Sequence, residues 1–471
     1  METTHSEQIA IDGNKDPSVK ESLFYMVFLL TIYPMIMGLL SDYFSLQHLS
    51  ETDISTMGII GSIDTLTTAM SAVFAIGAQA VCAKYVGSRD EKKSSEAYTS
   101  ILLTETGILL FTAAAIVCLR LPLARLIGAD ADAGLLRSTS LAIALFAIGM
   151  PGSALTYLLT VLLYMDDRTR KGVLWGTLLN GAASIAGLLI VTWTNPSMAG
   201  YMTCGFAGDW INVFFLLFYK QGRSRFFVFR KKDYSFKRFL RIFQVGLPGG
   251  LEYAYYAAYQ FITFLFIVRR FSTEYMAVIE IREDISSIDE SLLIGMGALL
   301  VERIGISVGS GDTGRIRKET RNAWIACTAI AVAAGFLLAF LYPRLADLFL
   351  GDIGANRDKI LYHADYFLIC TCIGLPFYVG NNIFTSIYEV REMLAHAHLS
   401  YFLEIFGMVT IYSLALGTLI GIKGVWIAYP LAEATVFVLN IVLLILHTRG
   451  LPRRWLDLSF PKSETAEKGA A

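Results

Sequence analysis

Charge is what this 471-residue sequence has little of: Asp, Glu, Lys and Arg together make up 17% of it, against about 25% in an ordinary soluble domain. A 55% hydrophobic fraction takes its place, and the mean hydropathy reaches +0.54. A water-facing surface of this size cannot accommodate that much apolar side chain, so an integral membrane protein is expected. No sign of charge is in excess, with 39 Lys+Arg against 40 Asp+Glu, so nothing points to a nucleic-acid partner. Cysteine is scarce as well. The six (Cys82, Cys118, Cys204, Cys327, Cys370 and Cys372) sit in apolar runs without zinc or disulfide-framework spacing, and are expected to be packing residues. HExxH, paired DxxD and P-loop patterns are missing, which disfavours a membrane-embedded lipid-modifying enzyme and leaves no cofactor to expect. Residues 1–22 are polar and acidic rather than basic, so the first apolar run is expected to stay attached as a signal anchor.

What is present is a series of long apolar runs. Crossing about 30 Å of hydrocarbon takes about 20 helical residues. Twelve stretches qualify, at 23–46, 54–83, 97–119, 138–164, 172–193, 199–219, 242–268, 276–302, 322–343, 361–388, 394–420 and 424–447. Alternating barrel-type strands do not occur, so an all-α polytopic membrane protein with twelve transmembrane helices is expected. Bases concentrate in alternate connections, above all the nine of KQGRSRFFVFRKKDYSFKRFLR at 220–241. By the positive-inside rule both termini are cytoplasmic. The expected organisation is a tail (1–22), a first lobe (23–219), a basic linker (220–241), a second lobe (242–447) and a second tail (448–471).

The two lobes repeat one another. VGSRD at Val86–Asp90 matches VGSGD at Val308–Asp312 at an offset of 222, IGMP at Ile148–Pro151 matches IGLP at Ile373–Pro376 at 225, and Gly200 with Asp209 matches Gly424 with Glu433 at 224. An even number of spans per copy gives the copies one orientation, so a pseudo-two-fold axis along the membrane normal, with a cavity between the six-helix lobes, is expected.

These segments resemble a known family. GAQAVCAKYVGSRDEKKSSEAY (Gly77–Tyr98) and LVERIGISVGSGD (Leu300–Asp312) are similar to the segments joining helices 2 and 3, and their second-half counterparts, in the multidrug and toxic compound extrusion (MATE) transporters. Pro34 followed by SDYFSLQHLSETDISTMGI, Asn180 in WGTLLNGAAS, and GVWIAYPLAE (Gly424–Glu433) also look like the family's pattern. The resemblance runs from about residue 23 to 447. It implies efflux of organic, often cationic compounds in exchange for H⁺ or Na⁺, by alternating access of two lobes in the cell membrane. The chain departs from the pattern at Ser184, where some members have an Asp four residues after the asparagine, and at Tyr256, where others have a Glu; Glu252 lies one turn earlier.

Acids punctuate the spans from Asp42 to Glu433, against the single base Arg282. Each charge costs about 2.5–3.5 kcal/mol at a helix centre on insertion scales, so their number implies a wet cavity, protonation, or both. Asp42, about 28 Å along the first span at about 1.5 Å per residue, is the leading residue for ion or proton coupling, with Asn180 as its uncharged partner. Glu252 shares a helix face with Tyr255, Tyr256 and Tyr259, an arrangement suited to an organic cation because charge and ring faces add. Asp64 is assigned to the cavity from the second span.

The stretch MAVIEIREDISSIDESLLIGMGALLVE is charged in its first half. Glu283 and Glu290 share a face there, and Arg282 has no acid at i±3 or i±4. Either these residues line the cavity, or the helix starts only near Ser286 and they belong to an outer loop. Asp209 and Glu433, at equivalent places in the two lobes, suggest an inherited structural role, and His396 and His398 mark a helix end without suggesting a metal.

The function expected from all this is a monomeric secondary antiporter exporting small organic compounds, cations among them. A lipid-linked glycan flippase of a related fold is the alternative, although it should show a basic cavity for pyrophosphate.

Overall fold

The computed structural model describes residues 51–126, 133–194, 196–220, 222–272, 274–311, 313–350 and 357–448, with a few residues of the first span. The apolar runs fold as helices: α1 (Glu51–Gly87), α2 (Glu91–Leu126), α3 (Ala133–Tyr164), α4 (Arg170–Thr194) and α5 (Met198–Tyr219). After the linker come α6 (Phe236–Arg270), α7 (Glu274–Ser310), α8 (Thr313–Leu350), α9 (Arg357–Val390), α10 (Leu394–Ile420) and α11 (Ile422–Thr448). These are spans two to twelve. Most overrun the expected span, α2 beginning at Glu91 instead of 97, because the backbone stays hydrogen-bonded beyond the hydrocarbon while side chains turn polar.

Glycine and a few polar residues mark the ends. Ser197 caps α5, its hydroxyl accepting from Gly200 N at 3.2 Å. The turn after α1 places Arg89 in the left-handed region (φ 55°) and the turn after α7 places Gly311 there (φ 70°). These two residues are 222 apart, so the repeat read from VGSRD and VGSGD extends to backbone conformation. Packing repeats too: α1 and α2 on α3, α3 on α5 and α4 on α5 in the first lobe are mirrored by α7 and α8 on α9, α9 on α11 and α10 on α11 in the second.

The lobes meet where α1 crosses α6 and α7. Glycine lets the backbones touch. A Cβ on Gly77 would overlap the Ile242 carbonyl, one on Gly246 the Val73 carbonyl, and one on Gly305 would come within 2.5 Å of Ala83 Cβ. Gln79 Nε2 spans the seam to Ala298 O at 2.8 Å. Three cysteines, Cys82, Cys327 and Cys370, are buried as expected for packing residues, but Cys118 is exposed on α2.

The linker is an ordered strap. Asp166 accepts from Arg225 N (2.7 Å), Phe226 N (3.4 Å) and the Ser224 hydroxyl (2.8 Å). Ser95 donates to Phe226 O at 3.1 Å, while Thr99 and Ser100 accept from Arg230 N (3.2 Å) and Ser235 N (2.9 Å). A single 3₁₀ turn, Lys231–Asp233, precedes α6, which starts at Phe236, within the segment expected to be linker.

Candidate functional sites in the two lobes

In the first lobe, α3, α4 and α5 enclose a cavity of about 370 Å³ lined by Tyr33, Thr156, Tyr157, Asn180, Asp209 and their neighbours. Among the described lining residues, Asp209 is the only one with a carboxylate. Its side chain accepts from Asn180 Nδ2 at 2.9 Å and from the Ser153 hydroxyl, and its backbone carbonyl accepts from Thr156 Oγ1 at 3.1 Å. Ser184 completes the set, donating to Asn180 Oδ1 at 3.2 Å. Thus Asn180, expected to serve Asp42, is bonded to an acid on the neighbouring helix. Ser184, the position at which the sequence departs from the Asp of some members of the resembled family, acts as a hydroxyl donor. Asp42 lies outside the described residues.

The second lobe carries the same positions with different chemistry. Asn381 Nδ2 donates to Glu433 Oε2 at 2.9 Å and to Glu433 O at 3.2 Å, the backbone bond reproducing that of Thr156 to Asp209. Asn440 Nδ2 reaches Asn381 Oδ1 (3.2 Å) and Ser400 Oγ (3.0 Å). The counterpart of Asn180, 224 residues on, is Glu404. It is 5% exposed and sits in a π-helical turn, Phe402–Gly407, a distortion that often marks functional positions. Glu389 ends α9, 2% exposed, with Tyr401 OH donating to its Oε1 at 3.1 Å. Glu252 of α6 lies within electrostatic range of Glu389, Glu404 and Glu433. Four helices therefore bring four carboxylates into one lobe interior. Among the described residues, Glu389, Glu404 and Glu433 have no lysine or arginine ion-pair partner. Unscreened like charges in that setting repel, so protons or a cation must offset them.

The tyrosines beside Glu252 are half-buried. Tyr255 packs edge-on against Phe402 (centroids 5.6 Å apart), beside the π turn, and Tyr256 lies 6.3 Å from Tyr259. The charged half of the eighth span is helical, since α7 starts at Glu274. The alternative in which the helix starts only near Ser286, leaving Arg282 and Glu283 in an outer loop, is thereby overturned: backbone hydrogen bonding continues through the charged residues. Their side chains, and that of Asp64, lie outside the described residues.

Where the basic connections gather, the seam is also closed by charge. Glu392 accepts from Lys84 of the first lobe and, through two bonds of 2.9 and 2.6 Å, from Arg241 at the start of α6. Burial alone would raise the Glu392 carboxyl, but Lys84 and Arg241 outweigh it and hold the group below the ordinary carboxylate value.

Sequence reasoning left Asp209, Glu389, Glu404 and Glu433 out of its proposed sites. The repeat offset was the available signal: adding 224 to Asn180 gives Glu404, and Asp209 was already paired with Glu433. Glu389 lies one residue beyond its expected span, which hid it.

A family model described as MatE matches residues 23–179 and 248–410. No curated protein matches. Several solved structures do. A MOP superfamily transporter from Pyrococcus furiosus, whose report describes a binding pocket of reversed polarity and suggests a different function, superposes with a TM-score of 0.80 at 13% identity, covering 91% of this chain and 95% of that one. A Vibrio cholerae MATE transporter gives 0.79 at 13% identity over 90% and 94%. An outward-facing multidrug resistance MATE transporter gives 0.75 at 15% over 91% and 95%. At these identities the likeness is one of fold, the twelve-helix, two-lobe architecture.

Proposed function

The chain belongs to the MatE family, and from that premise we propose that it is a secondary active antiporter exporting small organic compounds, cations included, in exchange for H⁺ or Na⁺. The observation that carries the proposal is the convergence of Glu252, Glu389, Glu404 and Glu433 inside the second lobe. Such a set suits a cation or the protons that leave when it binds. Asp209 and Asn180 in the first lobe supply a separate site for the coupling ion. With the basic face cytoplasmic and the protein in the cell membrane, the seam of α1, α6 and α7 closes the cytoplasmic side. Transport then requires that seam to part while the opposite side closes, each ligand shifting the balance by its differential affinity for the two states. One chain contains both lobes, so a monomer suffices. Acids lining both lobes speak against a pyrophosphate-bearing glycan as cargo.

The test is uptake of a lipophilic cation into inverted vesicles under separately imposed H⁺ and Na⁺ gradients, comparing wild type with Asp209→Asn and Glu252→Gln. One gradient should drive accumulation at least tenfold above background, and each substitution should remove most of it. Accumulation that ignores both gradients would overturn the reading.

A further inference from the structure

Several bases on the face where the lobes touch pair with an acid: Arg225 with Glu91, Arg238 with Glu96, Arg241 with Glu392, and Arg303 with Glu319. Four bases in the middle of the strap carry no such pair. Arg230, Lys231, Lys232 and Lys237 are exposed and have no side-chain partner among the described residues. Two large rings flank them, Phe229 at 43% and Phe236 at 62% exposure. The strap is not free to fold these groups away, because Thr99 and Ser100 of α2 hold its backbone.

Its depth follows from α2. That helix has 36 residues, about 54 Å at about 1.5 Å per residue, against about 30 Å of hydrocarbon. Each end therefore overruns the hydrocarbon by about 12 Å if the helix is centred. Thr99 and Ser100, two to three turns in from Glu91, hold the strap at about that distance from the helix end, level with the headgroups. Unpaired bases at headgroup depth between aromatic rings match an anionic phospholipid, phosphate against the bases and upper acyl chain against the rings. A soluble acidic partner would have no use for rings placed at that depth.

We propose that the strap at Phe229–Lys237 is a binding site for anionic phospholipid headgroups, positioned on the one covalent joint between the lobes. The proposal rests on the membrane placement given above but not on substrate or coupling ion. The full-length protein is reconstituted with trace spin-labelled phosphatidylglycerol or phosphatidylcholine, and the motionally restricted fraction gives the relative association of each, with no substrate or gradient present. Wild type should prefer phosphatidylglycerol about fivefold, of the order expected for even one base near an anionic surface, and the preference should shrink as salt rises. The combined variant R230Q/K231Q/K232Q/K237Q should fall below twofold with an unchanged unfolding temperature. Removing two exposed bases at the far end of α2, with R120Q/R125Q, should leave the preference intact. A preference that survives the four substitutions, or that R120Q/R125Q abolishes equally, overturns the site. Failure of gradient-driven uptake would leave these readings unaffected, so the two proposals fail separately.

Discussion

Gly87 of α1 and Gly309 of α7 are each pressed against the other's helix: a Cβ on Gly87 would overlap the Ile306 carbonyl, and a Cβ on Gly309 would overlap the Lys84 carbonyl. Gly87 and Gly309 are 222 residues apart, and so are Lys84 and Ile306, so one contact is made twice across the pseudo-two-fold axis. Backbone cannot swing aside as a side chain can, and the fit therefore depends on glycine at both positions.

Gly309→Leu should force α1 and α7 apart. Cys82, fully buried in α1, reports the change if it is the sole cysteine. Its labelling by a membrane-impermeant maleimide from the basic face should quicken at least tenfold, and transport should fall by a similar factor. Unfolding measured on the same sample separates seam opening from loss of structure. Unchanged labelling in a folded variant would show that the seam tolerates the insertion.

The ion cluster at Glu392 should make the same seam sensitive to acid. Because Lys84 and Arg241 outweigh the effect of burial, the folded-state value of Glu392 lies below the unfolded one. The folded state thus binds fewer protons in the intervening range, and the stabilisation is full above the ordinary carboxylate value near 4.5 and lost as pH falls through the depressed one. Thermal unfolding in detergent should show a melting temperature that drops between about pH 5 and pH 3, and Glu392→Gln should flatten part of that drop while lowering the neutral-pH value. An acid limb identical in wild type and variant would mean that other carboxylates control it.

The helical, two-lobe architecture and its repeat were legible in the sequence because hydrocarbon thickness and backbone hydrogen bonding leave little freedom in how a long apolar run can fold. The sites were less so. Glu252 was found from its tyrosine-rich face, whereas Glu389 and Glu404 come from other helices, and their convergence with it depends on packing that one-dimensional spacing does not carry. Asn180 was identified, but its bond to Asp209 joins different helices, and the acid at the neighbouring helix position was read as structural. The π turn around Glu404 has no periodicity signal in FLEIFG.

Asp209 holds the first-lobe site together through Asn180 and Ser153. Asp209→Asn keeps the volume and removes the charge, so the cavity should persist while cation-coupled transport falls at least tenfold. Asn180→Ala should also weaken transport but less, because Ser153 still donates to the carboxylate. If Asp209→Asn transports normally and Asn180→Ala does not, the amide rather than the acid is the working group.

Glu252 offers the sharpest test of cargo charge, since it joins three other acids on one side and has Tyr255 and Tyr256 three and four residues on. Losing one carboxylate removes attraction for a cation but leaves aromatic contacts with a neutral ring compound nearly intact, the cation–ring term being about 0.5–2 kcal/mol. Glu252→Gln should therefore weaken binding of tetraphenylphosphonium about tenfold and of a neutral aromatic of similar size less than twofold, measured by tryptophan quenching or calorimetry on the purified protein. Equal losses for both ligands would make Glu252 a structural residue of α6, and the second-lobe cluster would then have to act through Glu389, Glu404 and Glu433 alone.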